Sequence, residues 1–128
     1  MIKRWVTLFA LFAAAMSAPG WAHHSFARFD RTKEITLSGT VEDFQWTNPH
    51  SWIYLMVPAS DGTVTKWSIE FGSPNILSRQ GWTKSAIKPG DKITAVINPV
   101  KEGGPEGSLV SVTTADGVKL PQSEAANN

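Results

Sequence analysis

The chain has 128 residues, 12 basic against 11 acidic, 41% hydrophobic and no cysteine. That length sets one small domain. The near-balanced charge argues against an electrostatic grip on nucleic acid or anionic lipid, and the missing cysteine excludes a disulfide framework, a thiolate metal site and a thiol nucleophile.

Residues 1–22 have the parts of a secretory signal peptide. Lys3 and Arg4 form a positive start, Trp5 to Met16 an apolar run of 12 residues, and Ser17 to Ala22 a helix-breaking end. The run is short for a membrane span, so an uncleaved anchor is the weaker reading. Gly20 and Ala22 are the small residues that favour cleavage after Ala22; Ala18 and Gly20 offer a second cut after Gly20. The expected compartment is therefore the periplasm or the exterior, with no membrane attachment after cleavage. The processed chain keeps 10 basic and 11 acidic residues. Its expected organisation is a lead over 23–34, a β domain over 35–120 and a disordered tail over 121–128.

Along the domain, Ile35, Leu37, Gly39 and Val41 alternate in one phase and Phe44 and Trp46 in the other. A phase change of this kind predicts a bulge near Glu42–Asp43. Asn48–Pro49 ends that strand, and Ser51 to Val57 reads as a second, well-buried strand. Asp61–Gly62 marks a hairpin turn into Val64 to Phe71. There Trp67, Ile69 and Phe71 share one face, while Lys66, Ser68 and Glu70 share the other. Ser73–Pro74 opens a short helix to Gln80, with Ile76 and Leu77 expected inward and Gly81 as the stop. Lys92 to Val100 is the fourth strand. Lys101 to Gly107 is expected to be loop, because of its Gly and Pro content. Leu109 to Thr114 is the fifth strand.

Three strands, a helix and two strands, with a kinked first strand, predict an all-β fold with one short helix: an OB-fold-like five-stranded barrel. A plain sandwich is the alternative. Mature aromatics, four of them Trp, supply the apolar area that a core without disulfides needs.

The segments His23-His-Ser-Phe-Ala-Arg-Phe-Asp30, Gly39-Thr-Val41, Phe44-Gln-Trp-Thr-Asn-Pro-His50, Trp67-Ser-Ile-Glu70, Ser73-Pro74 and Lys88-Pro-Gly-Asp91 together resemble a family of small secreted Gram-negative proteins. These carry a domain of unknown function, and the likeness spans most of 23–118. The resemblance implies a periplasmic location and a small β-barrel, and it supplies no catalytic residues.

All three histidines fall at two places, His23–His24 and His50. Cleavage after Ala22 makes His23 the first residue, whose α-amine and ring nitrogen can chelate one ion. His50 would add a third nitrogen, giving a T-shaped site of the histidine-brace type suited to Cu(II), with Ni(II) or Zn(II) as related cargo. His24 is a spare ligand or supports the first. The 12-residue lead reaches His50 only if nearly extended, up to about 40 Å, with Phe26 and Phe29 pinning it. Against this stands the plain reading in which His23–His24 merely start a polar lead and His50 caps a turn.

Trp46 and Trp52 flank the His50 loop and are candidate walls of a ligand site. Glu70 is expected to be a solvated carboxylate unless it lies near His50, where it would support that ring. Ser51 and His50 are strand neighbours facing opposite ways, which argues against hydrolase chemistry. The expected function is therefore Cu(II) sequestration or delivery; a copper oxygenase is a third reading, which would need a substrate surface beside an open copper position that the sequence does not mark. The alternative is a metal-free module that holds a small molecule or a periplasmic protein. No nucleic-acid partner is expected.

Overall fold

The computed structural model describes residues 26–121. The predicted signal segment, His23 and His24, and the tail beyond Pro121 lie outside the described residues.

Five strands form a closed barrel: β1 (Ile35–Gln45), β2 (Ser51–Pro58), β3 (Val64–Phe71), β4 (Lys92–Pro99) and β5 (Glu106–Thr114), in the order β1-β2-β3-β5-β4. Helix α1 (Pro74–Arg79) lies between β3 and β4. All pairings are antiparallel except β3 with β5, which is parallel over Ser68↔Glu106, Ile69↔Gly107 and Glu70↔Ser108. This is the connectivity of an OB-type barrel.

β1 serves two neighbours because it bends. Ile35 to Thr40 pair with β4, and Thr40 to Gln45 pair with β2. The register slips between Val41 and Asp43, at the phase change seen in the sequence. Gly39 sits at the crossing. A Cβ there would stand 2.2 Å from the Met56 carbonyl oxygen, so only glycine lets the strands approach so closely.

Alternation fills the interior with Ile53 and Leu55 from β2, Ile69 and Phe71 from β3, and Ala95 and Ile97 from β4, while a register shift between β4 and β5 brings in Leu109 and Val112. Each such aliphatic or aromatic side chain contributes about 1.5–3 kcal/mol through burial. Leu77, Trp82 and Ile87 extend the core below α1. Ser73 caps that helix through its side chain. Trp82 Nε1 donates to the Pro121 carbonyl at 2.9 Å and ties down the end of the described chain.

Two expectations need correction. Ile76 is 40% exposed while Leu77 is fully buried. A six-residue helix offers the core little more than one inward position, and Leu77 takes it. The Gly- and Pro-rich stretch is also not loop throughout, since β5 begins at Glu106. Gly107 suits that strand, where a Cβ would stand 2.9 Å from the Asn98 carbonyl oxygen and against the Ile97 side chain. Its glycine marks close strand approach rather than a break.

The lead is pinned as expected by Phe29, which is 5% exposed and bridges antiparallel to Val100. Asp30 N donates to the Pro99 carbonyl and Lys101 N to the Arg28 carbonyl, each at 2.8 Å. A 3-10 turn over Phe26–Arg28 precedes this bridge.

Candidate functional site: a histidine anchored by a buried carboxylate

His50 ends the loop that joins β1 to β2. Thr47 Oγ1 donates to the His50 carbonyl at 2.9 Å and closes that loop on itself. The next residue, Ser51, starts β2 and turns its fully buried side chain inward. Its hydroxyl has no hydrogen-bond partner among the described residues. His50 therefore stands on the outer face and Ser51 on the inner one.

The imidazole is 25% exposed, and its Nδ1 lies 2.7 Å from Glu70 Oε1. Glu70 is not the solvated carboxylate expected of its strand face. It is 6% exposed, because it sits between Trp52 on β2 and Ser108 on β5 and is capped by His50. Burial pushes its carboxyl above its ordinary pKa. His50 and Arg28 pull it back down, while Glu106 pushes it up further.

Arg28 and Glu106 are the site residues that sequence reasoning missed. They form an ion pair beside Glu70, Arg28 from the lead and Glu106 from the first position of β5. Strand alternation could not reveal them, because the lead docks and the barrel closes through contacts far apart in sequence.

The two candidate walls face different ways. Trp46 continues the inward phase of Phe44 and packs partly against the core, with ring centroids 6.0 Å apart edge to face. Trp52 is on the outer face, opposite Glu70, and stacks on Tyr54 with centroids 6.4 Å apart and planes 13° off parallel. Lys66 Nζ stands 5.1 Å from the Tyr54 ring centre and is ion-paired with Glu42.

Chemically, a carboxylate that accepts from Nδ1–H fixes the ring orientation and leaves the Nε2 lone pair available. Histidine metal ligands are commonly supported in this way. Among the described residues, no group of three or more His, Asp and Glu side chains is arranged to hold a metal. A metal on His50 would need ligands from outside them, and His23 and His24 lie there.

Barrel topology defines a small OB-type protein in which, among the described residues, Arg28, His50, Glu70 and Glu106 form a polar cluster at the end of the β1–β2 loop. The chain belongs to the family of unknown function DUF6152, whose model matches residues 11–109. No curated protein matches it. A solved structure to which it is similar is Rim1, a mitochondrial single-stranded DNA binding protein from S. cerevisiae. The identity is 6% and the TM-score 0.48, over 67% of this chain and 97% of that one.

Proposed function

We propose that this is an exported protein that binds Cu(II), or a similar divalent ion, for sequestration or delivery. His50 Nε2 supplies one nitrogen, and the α-amine and ring of His23 supply two more once residues 1–22 are removed. His24 is the reserve ligand. The observation that carries this reading is the 2.7 Å contact between His50 Nδ1 and the buried Glu70.

Chain length supports it. Arg28 is close enough to Glu70 to act on its charge, and His23 precedes Arg28 by five residues. That contour is at most about 18 Å, less the shortening of the 3-10 turn over Phe26–Arg28, and the reading requires His50 to lie within it. Phe29 keeps the lead docked at this end of the barrel.

Nucleic acid has no part in this reading. The processed chain carries one more acid than base, and Glu42, Asp43, Glu70 and Glu106 surround the outer face of Trp52 and Tyr54.

The test is a Cu(II) titration with EPR on protein exported through a periplasm, its first residue fixed by mass spectrometry. One tight equivalent with a nitrogen-rich spectrum, weakened by His50→Ala, supports the site. Binding indifferent to His50 reduces it to a generic N-terminal chelate. The second reading, a metal-free binding module, is favoured by the half-buried Trp52–Tyr54 stack. It predicts a Trp52-dependent ligand and no copper effect.

A further inference from the structure

Trp52 and Tyr54 lie two residues apart on β2 and point outward, because Ser51, Ile53 and Leu55, which alternate with them, are fully buried. Their rings stack with planes 13° off parallel, and both side chains are half-buried. The hydrophobic cluster that fills the barrel includes neither ring. Two large aromatic groups are thus spent on the surface, where folding gains least from them.

Cross-strand partners share a face, so the register sets polar side chains on both flanks of the pair. Gln45 and Glu70 stand beside Trp52, and Asp43 and Ser68 beside Tyr54. The Asp43 carboxylate is held in place, accepting from Phe44 N at 2.8 Å and from Gln45 Nε2 at 3.1 Å. Each of its oxygens keeps a lone pair for a further donor, and the half-buried Ser68 brings a hydroxyl that both donates and accepts. Charges around the pair are matched within the face: Lys66 with Glu42, Arg28 with Glu106, and His50 with Glu70. A phosphate or carboxylate ligand would find Lys66 and Arg28 taken, and an ammonium ligand would find those glutamates taken. What the face offers is stacking area edged by hydrogen-bonding groups.

We propose that this face binds a neutral oligosaccharide of β-linked hexose units, stacked on Trp52 and Tyr54. The assignment rests on the second reading above, the metal-free binding module, and gives it a ligand class. A pyranose with equatorial substituents presents axial C–H bonds, apolar and slightly positive, on both sides of its ring. These seat on the electron-rich face of an indole or a phenol. The hydroxyls spread outward in the plane of the sugar, toward the flanks, where Asp43 accepts from one and Gln45 and Ser68 exchange bonds with others. Two aromatic rings in a row along β2 suit successive units of a chain better than a single sugar. Lys66, with Nζ 5.1 Å from the Tyr54 ring centre, closes one end of the platform.

The experiment is calorimetric titration of the exported, processed protein, in EDTA, with four probes: cellotetraose, chitotetraose, tetragalacturonate and an oligothymidylate. Binding of at least one neutral tetrasaccharide is expected, weakened about tenfold or more by Trp52→Ala and by Tyr54→Ala and nearly unchanged by Tyr54→Phe. Circular dichroism checks that the variants fold. In the wild type, which needs no variant, amide NMR shifts on adding the bound sugar should cluster at residues 43–45, 52–54 and 68–70. Neutral tetrasaccharides that bind equally well to Trp52→Ala, or that shift amides elsewhere, overturn the assignment. Trp52-dependent binding of only the tetragalacturonate or the oligothymidylate overturns the neutral sugar and leaves the binding module standing. No Trp52-dependent binding of any probe overturns both.

Discussion

His50 and Glu70 are separated by β2, the turn at 59–63 and most of β3, yet Nδ1 and Oε1 meet at 2.7 Å beneath a surface that leaves Glu70 almost without solvent. A buried carboxylate is costly unless it is paired and hydrogen-bonded. The protein keeps one here and places it against the His50 ring, the kind of support that holds a histidine ligand in one orientation.

Glu70→Gln retains the size of the side chain and removes its charge. Copper affinity is expected to fall by about 10- to 100-fold, as for other supports of metal-bound histidine. Competition against a chelator of known strength measures this, with circular dichroism as the control for folding. His50→Ala should cost more than Glu70→Gln, and unequal losses in that order are the signature of a ligand and its support.

Stability should also report on Glu70. Its folded pKa is raised, so between the unfolded and folded values the native state holds a proton that the unfolded chain has released. The stabilisation is therefore complete below the ordinary carboxylate value and lost as pH rises through the folded one. Urea midpoints of wild type and Glu70→Gln, compared across mildly acid to neutral pH, should shift in favour of the variant as pH rises. Asp30, Asp61 and Asp116, whose pKa values are lowered by hydrogen bonds from Thr32, Thr63 and Thr114, slope the other way. They are common to both proteins and cancel in the difference.

Gly39→Ala should be strongly destabilising. Its new methyl would meet the Met56 backbone oxygen, which cannot step aside without breaking the β1–β2 ladder. The expected loss is about 1–3 kcal/mol or more, read from the denaturant midpoint. Gly62→Ala faces open space but a φ of 85°, so its cost is one of backbone strain alone.

Phe29→Ala links packing to function. Removing a buried phenyl ring costs about 3–5 kcal/mol in a rigid core, and less here because the bridge lies at the edge. The second effect is the informative one: the lead loosens, and copper binding by processed protein should weaken although no ligand has been touched. An unchanged affinity would show that the docked lead does not position the N-terminus.

Much of this was legible in the chain. The strand order, the bulge after Val41, the helix cap at Ser73 and the role of Phe29 all follow from local patterns. The His50–Glu70 pairing was nearly legible too. Read as a tight two-residue turn, Asp61–Gly62 would set Ile53 opposite Glu70 and mismatch the apolar faces. The faces match only if the loop has an odd number of residues. The structure has such a loop: Ala59 N donates to the Thr63 carbonyl at 2.7 Å, Gly62 N to the Ala59 carbonyl at 3.1 Å, and Gly62 takes the positive φ. That register puts Trp52 across from Glu70 and His50 one step beyond on the same face. The burial of Glu70, by contrast, depends on β5 and the lead arriving beside it, and no local pattern encodes that arrival.

The parallel seam between β3 and β5 spans three register pairs, and Glu70 belongs to the last of them. The weakest stitch of the barrel is thus also the floor beneath His50. Whenever the seam parts, water reaches the carboxylate and the ring loses its support, and on the proposed copper reading bound cargo would then be released without any distant hinge. Storage and discharge would then be set by how often one short stretch of backbone breathes, and amide exchange at Ser68 to Glu70 would keep time with ligand turnover.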